Sequence, residues 1–268
     1  MLNKILVSDC FDTTTATSVS YSISSTTSIT KTSTSTSAVV TPTNQTSIST
    51  TNQYLIHYWP ISNNTMTDSI SNADMHQGIT ISFASDRFEC PMSALNLNGG
   101  YTYVQEGFYF DSTEFTISVW VYPQSVGLNA RVIDFGNGAS SDNIILTQAD
   151  GFNLFPLLYI FSGSTNMGSV ISKTSLALSQ WQFLVATFDG TLASIYIDGV
   201  LQGQSSLTYT LPKLIRSNNF IGKSNWNDGY SSSHLDDLRF YNKCLNQLEI
   251  IDLMNENCKK FSFYNLFI

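Results

Sequence analysis

Trp181–Gln204 reads WQFLVATFDGTLASIYIDGVLQGQ, and its pattern decides the fold class. Two runs of strand-forming residues flank Asp189-Gly190, and a second Asp-Gly pair follows at Asp198-Gly199. Asp-Gly between such runs predicts hairpins, because both central residues of a type I′ turn need positive φ. Alternation puts Trp181, Phe183, Val185 and Thr187 on one face and Leu184, Ala186 and Phe188 on the other. Both faces are largely apolar, so the strand should lie inside a two-layer structure, at the centre of a β-sandwich.

Working outward, strand signals recur at short intervals with Gly, Asn or Pro between them. They are Tyr54–Trp59, Ile79–Phe83, Ala94–Leu97, Tyr101–Val104, Phe115–Tyr122, Arg131–Phe135, Asn143–Thr147, Leu154–Phe161, Val170–Lys173, Asn219–Gly222 and Leu235–Tyr241. With no helical period between them, the class is all-β, a sandwich or barrel rather than an α/β fold. Trp120, Val185 and Ile195 are expected between the sheets, and Trp59, Trp120 and Trp181 in the core. Only Asn246–Asn255 looks helical: Leu248, Ile251 and Met254 are three apart, and Asn246 with Glu249 forms a capping box.

From Thr13 to Thr51 about two thirds of the residues are Ser or Thr. Such a segment cannot bury enough apolar surface to offset its ordering entropy and is expected to be disordered, either as an O-glycosylated stalk or as a plain linker. The predicted organisation is therefore residues 1–51 as a Ser/Thr-rich stalk or linker, 52–258 as the folded domain and 259–268 as a tail. The amino terminus, MLNKILVSDCFD, carries no secretory h-region, whereas the stalk composition points to an extracellular or cell-surface setting. No apolar run approaches the ~20 residues of a membrane helix.

Twelve basic against 20 acidic residues leave a formal charge of −8, which argues against nucleic acid or an anionic membrane as partner. Cys10, Cys90, Cys244 and Cys258 lack the tight C-x-x-C spacing of zinc or redox sites. The predicted bridge is Cys90 with Cys244 or Cys258, and the last two should not pair across the helix between them. Asn44 and Asn63 head glycosylation sequons.

The segments FTISVWVYPQS (Phe115–Ser125), DFGNG (Asp134–Gly138), WQFLVATFDGTLASIYIDGVL, NNFIGKSNW (Asn218–Trp226) and HLDDLRFYNKCLNQLEI (His234–Ile250) resemble the laminin-G-like, concanavalin A-like jelly roll. LIHYWP (Leu55–Pro60) and SALNLNGGYTYV (Ser93–Val104) match its beginning, so the resemblance covers roughly residues 54 to 256 in the family's order. It implies two antiparallel sheets but no single activity, since relatives include lectin modules, adhesion modules and carbohydrate-active enzymes. Hydrolases on this sandwich carry two glutamates and an aspartate spaced E-x-D-x-E along one strand. Here Glu89, Glu106, Glu114, Glu249 and Glu256 are isolated, and neither a G-x-S-x-G elbow nor a histidine cluster is present.

The reading is thus a non-catalytic extracellular recognition or adhesion module for a glycan or protein ligand. The alternatives are an accessory carbohydrate-binding domain or remnant of a glycoside hydrolase, and a structural spacer. Two sites are expected. Because the resemblance makes the first and last strands neighbours, Asp68, in the loop after the first strand, and Asp236, on the last, would bring oxygen ligands together for calcium. Asp134 and Asp142, beside the DFGNG turn, are separate candidates. The alternative pairs Asp237 with Arg87 or Arg239 and leaves Asp68 capping a turn. Trp226, Asp228 and Tyr230 would form a rim on which a pyranose could stack, with Tyr101, Tyr103 and Tyr109 as further exposed rings.

Overall fold

The computed structural model describes residues 51–256 apart from 126 and 208. Apart from Thr51, which is buried and accepts the Tyr54 amide at 3.0 Å and so belongs to the folded domain, the expected disordered stretch lies outside the described residues, as do Cys10, the Asn44 sequon, Cys258 and the tail. The strands are β1 (Leu55–Trp59), β2 (His76–Ile79), β3 (Ser82–Ala84), β4 (Ala94–Asn96), β5 (Tyr101–Val104), β6 (Phe115–Pro123), β7 (Arg131–Gly136), β8 (Ile144–Thr147), β9 (Leu157–Ser162), β10 (Thr165–Ile171), β11 (Gln182–Phe188), β12 (Leu192–Ile197), β13 (Val200–Ser206), β14 (Asn218–Ile221) and β15 (Ser233–Tyr241). One helix, α1 (Gln247–Met254), follows.

All pairing among these strands is antiparallel, in two sheets. One sheet runs β13-β12-β11-β6-β15-β4-β3, with β1 also paired to β15, and the other runs β10-β9-β8-β7-β14-β5-β2. The apolar run expected as one strand over Ile79–Phe83 is divided, its first residue ending β2 in one sheet and its last two lying in β3 of the other. The chain crosses between layers at Thr80-Ile81.

The two apolar faces of β11 meet different partners. Leu184, Ala186 and Phe188 face the opposite sheet in a core that includes Ile117, Val119, Phe135, Ile144, Leu158, Ile195 and Phe240. Phe183 and Val185 face outward beneath α1, with Tyr196, Tyr241, Leu245, Ile250 and Leu253. Of the three residues expected between the sheets, only Ile195 lies there. Val185 is fully buried, but under the helix, and Trp120 is half-buried against the same cluster. Trp59 is the only fully buried tryptophan of the three expected in the core. Trp181 is half-buried beside Tyr122 and His234, at ring-centroid distances of 5.6 and 6.2 Å.

The predicted capping box forms, with the Asn246 side chain accepting from the Glu249 amide and the Glu249 carboxylate accepting from the Asn246 amide. The buried stripe is set one step away from the expected one: Ile250 and Leu253 are inside, and Leu248 is 74% exposed. Two threonine-mediated bonds fix the approach to the helix. Thr116 Oγ1 donates to the Lys243 carbonyl at 2.6 Å and accepts from the Leu245 amide at 2.9 Å.

The hairpin turns also differ from each other. Asp198 and Gly199, at φ 51° and 74°, make the expected two-residue turn between β12 and β13. At Asp189-Gly190 only the glycine is positive, and Asp189 Oδ1 instead accepts the amides of Thr191 and Leu192 in a three-residue connection.

Asp68 and Asp236 are held by different partners. Asp68 accepts the amides of Tyr58 and Ile70, each at 3.0 Å, while His57 Nδ1 lies 2.7 Å from its other oxygen. Asp236 and Asp237, which alternation would send to opposite faces, both reach Arg87 Nη1, at 3.0 and 2.8 Å. The reason is a bulge in β15 between Asp236 and Arg239, with Asp237 at φ 50°. Arg87 thereby clamps β15 while its guanidinium lies 4.6 Å over the Trp120 ring. Among the described residues no three His, Cys, Asp or Glu side chains gather as a metal site would require. Cys90 is buried and Cys244 partly so, and the two are not joined to each other. The expected bridge is therefore not Cys90–Cys244, while pairing with Cys258 falls outside the described residues.

Two outcomes follow for stability. A Cβ on Gly199 would approach Ile251 Cγ1 to 2.9 Å at a positive φ, whereas one on Gly99, also at positive φ, meets nothing within 4 Å. Gly199→Ala should therefore destabilise by about 2 kcal/mol and Gly99→Ala by about 1 kcal/mol in urea unfolding. Equal costs would show that α1 does not press on this turn. Burial opposes the Asp68 charge, but His57, Ser71 and the amides of Tyr58 and Ile70 outweigh it and hold the carboxyl at about 2, below the ordinary 3.8. A depressed carboxyl contributes stability above its unfolded value and loses it as pH falls through the folded one. Asp68→Asn should accordingly cost roughly 1 kcal/mol at neutral pH, with the gap to wild type closing between about pH 5 and pH 2. A gap that persists in full at the acidic end would exclude the charge as its origin.

Candidate functional site

The outer face of the seven-stranded sheet, the one α1 does not cover, carries most of the rings and charges singled out by sequence. Register sets Tyr103, Phe220, Asp134, Ile145 and Tyr159 side by side across β5, β14, β7, β8 and β9, with His76 opposite Tyr103. The neighbouring row, Val104, Phe135, Ile144 and Ile160, belongs to the core between the sheets, so alternation turns the first row outward.

The connection from Gly222 to Ser231 is tied to this face at its centre by Asp134. That carboxylate is fully buried and accepts the Asn225 amide at 2.8 Å, the Asn225 side chain at 2.9 Å and the Asn143 side chain at 2.7 Å. Burial pushes its carboxyl above the ordinary value, against the pull of Asn225, Asn143 and Arg131. Gly136, the first glycine of DFGNG, leaves the room Asn143 needs, since a Cβ there would run into the Asn143 amide. Arg131 lies between two acids, with Nε 3.8 Å from Asp134 and Nη2 2.9 Å from Asp228. Ser224 Oγ donates to the same Asp228 oxygen at 2.9 Å and accepts the Trp226 amide at 3.0 Å.

The three rim residues thus share one loop but divide their roles. Trp226 is half-buried, with its ring 5.6 Å from Phe161 and 6.0 Å from the Arg131 guanidinium. Asp228 is the partner of Arg131. Tyr230 is 41% exposed and stacks on Tyr101 at 5.7 Å and 25°. Tyr101 in turn meets the Phe220 edge, and Lys223 Nζ sits 3.8 Å above Phe220 and 4.9 Å above Tyr101. Tyr103 completes this cluster at 39% exposure, with its ring 5.4 Å from that of His76. The result is a patch of partly exposed rings with an ammonium at its edge, mounted on a loop whose base is fixed by buried hydrogen bonds.

Tyr109 does not join it. It is 2% exposed, between the sheets, packed against Phe135 and His57. Asn63 is exposed at the turn closed by the Ser62–Thr65 bridge. Phe220, Lys223, Phe161 and Arg131 were not singled out from sequence. Alternation through Asn219, Phe220 and Ile221 carried a signal for Phe220, but the others depend on which loop lies over which strand.

A family model described as the Concanavalin A-like lectin/glucanases superfamily (Laminin_G_3) matches residues 98–251. A search of curated proteins finds no match. Among solved structures, the chain is similar to domain 4 of AbnA, a GH43 extracellular arabinanase from Geobacillus stearothermophilus in complex with arabinotriose. The identity is 21% and the TM-score 0.62, over 75% of this chain and 98% of that one. It is also similar to the binding domain of botulinum neurotoxin serotype C1, at 16% identity and TM-score 0.58 over 76% of this chain. A third likeness is to the binding domain of botulinum neurotoxin DC in complex with SialylT, at 16% identity and TM-score 0.59 over 76% of this chain. The chain spans about half of those two toxin domains, 52% in each case. At these identities the structures speak for the fold, and the family match over more than half the length speaks for descent. The chain belongs to the concanavalin A-like lectin/glucanases superfamily.

Proposed function

We propose that this chain is a non-catalytic carbohydrate-recognition module that works outside the cell or at its surface. The glycan would be held on the outer face of the seven-stranded sheet. The observation that carries this reading is the stack of Tyr230 on Tyr101, half open to solvent and flanked by Lys223. A pyranose or furanose offers a C–H face to such rings and hydroxyls to the groups around them. Because Asp134 ties down the base of the loop, little ordering entropy would be lost on binding.

The same geometry supports binding over hydrolysis. Glycoside cleavage uses two carboxyl groups about 5–10 Å apart on either side of the scissile bond. Here Asp134 is committed to Asn143, Asn225 and Arg131, and Asp228 to Arg131 and Ser224. The neighbours point the same way. The arabinanase domain was solved with arabinotriose, and the toxin domains are named for binding. The fit to 98% of the arabinanase domain also favours a second reading, an accessory domain that keeps a carbohydrate-active enzyme on its polymer.

Trp226, Asp228 and Tyr230 remain the proposed rim, with Tyr101, Tyr103, Phe220 and Lys223 added. Calcium at Asp68 or Asp236 stays a proposal without support from their present partners, and a melt with and without calcium tests it. A Ser/Thr-rich stalk would let weak sites act together, each with an affinity of ~10 μM to 1 mM.

The test is a glycan array with the full chain, followed by calorimetry on the hits and on arabinotriose. Tyr230→Ala should weaken binding at least about tenfold and leave the melting temperature within about 1 °C of wild type, as expected for a surface ring. Trp226→Ala should weaken binding and also lower stability by about 1 kcal/mol through lost packing on Phe161 and Arg131. Full binding by Tyr230→Ala would move the site elsewhere, and the absence of any glycan ligand would leave the structural-spacer reading. Retention on arabinan alone would select the accessory-domain reading.

A further inference from the structure

The sandwich has a buried cation that differs from the others. Arg87, Arg131 and Arg239 each lie against at least one carboxylate, at 2.8, 2.9 and 3.0 Å respectively. Arg216 is 0% exposed, and among the described residues no carboxylate lies within ion-pair distance of it. Its orientation is nonetheless fixed. The backbone of Arg216 pairs with Gly107 in both directions, Nε donates to the Asp142 carbonyl at 2.9 Å, and the guanidinium lies 5.5 Å from the Phe110 ring. Asp142, the acid whose charge it feels, accepts the Gly163 amide at 2.7 Å with Oδ1.

That leaves Nη1 and Nη2, with four N–H groups, buried and without a hydrogen-bond partner among the described residues. Tyr209, whose phenol also acts electrostatically on Arg216, has a buried hydroxyl in the same condition. Burial brings the guanidinium down to about 10, which still leaves it charged at neutral pH. A buried guanidinium with no carboxylate in contact and four unbonded N–H groups is a costly arrangement, large against a domain's net stability. Bridging water could satisfy the N–H groups but would leave the charge balanced only by the Asp142 carboxylate, which lies beyond ion-pair distance. A small anion accepts from both terminal nitrogens and from a phenol while neutralising the site. The apolar Phe110 on one side suits a weakly hydrated, polarisable ion.

We infer that Arg216 holds a small monovalent anion of the halide class at Nη1 and Nη2, beneath the loops that contain Gly107, Asp142 and Tyr209. The site lies in the interior and is distinct from the ring patch around Tyr230. It would act as a structural counter-ion that closes this end of the sandwich.

The experiment uses the full chain at constant ionic strength, with chloride replaced stepwise by gluconate, an anion too large to enter. Melting temperature should rise saturably with chloride, by about 3 °C once the ion reaches ten times its dissociation constant. Arg216→Met should abolish the chloride response. Crystals grown with bromide should show an anomalous peak within hydrogen-bonding reach of Nη1 and Nη2, which keeps the inference testable if Arg216→Met does not fold. Identical melting in the two salts, or wild-type crystals with ordered water and no anomalous signal at Arg216, would overturn it.

Discussion

The fold depends on the two-sided burial of β6, β11 and β15. Their inner residues, such as Ile117, Leu184, Ala186 and Phe240, pack against the second sheet, while Phe183, Val185 and Tyr241 on the outer side are covered by α1. A strand with one apolar face can border a sandwich, but one with two needs a third layer over it. Hence the short helix forms part of the core, and Gly199, Thr116 and the capping box all serve to bring it down onto β11. The same cover denies ligands that end of the eight-stranded sheet.

Buried charge organises what the apolar layers leave open. Arg87 gathers Asp236 and Asp237 where the bulge in β15 turns both carboxylates the same way. Burial opposes the Arg239 charge, but the carboxylates of Asp237 and Glu256, 4.0 and 3.0 Å away, help to hold its guanidinium above the ordinary value. On the other sheet Asp134 does comparable work for a loop, gathering donors from the β7–β8 and β14–β15 connections. Each cluster joins segments distant in sequence through a single central ion, which fixes geometry even where net stabilisation is small. Arg216 departs from that rule, and for this reason its unshared nitrogens carry chemical information.

The two outer faces of the sandwich consequently differ. One sheet is roofed by α1 over the strands that carry the apolar stripe. The other presents Tyr101, Tyr103, Phe220 and Tyr230 around a lysine, above a polar base that holds the loop still.

Much of the fold was legible in the primary sequence, because strand alternation, Asp-Gly turns and the Asn246–Glu249 box are local signals with a fixed physical cause. Trp181–Gln204 announced a doubly apolar strand, and all-β architecture followed from it. What covered the second face was not legible, since alternation separates two faces without saying what meets each one. Val185 was therefore placed between the sheets when it lies beneath a helix, and Leu248 was counted as inward when the stripe runs through Ile250 and Leu253. Tyr109 read as a surface ring because a short segment beside Gly107 carries no periodicity. The proposed rim loop, by contrast, was read from its composition alone, as a polar stretch tipped with Trp226 and Tyr230. Its partners Arg131, Asp134, Phe161 and Tyr101 are set by strand order and register, and a bulge of one residue in β15 moved Asp236 and Asp237 together. Local chemistry determined which segments became strands and turns. Long-range packing decided which side chains met, because contacts between residues a hundred positions apart leave no pattern in the segments themselves.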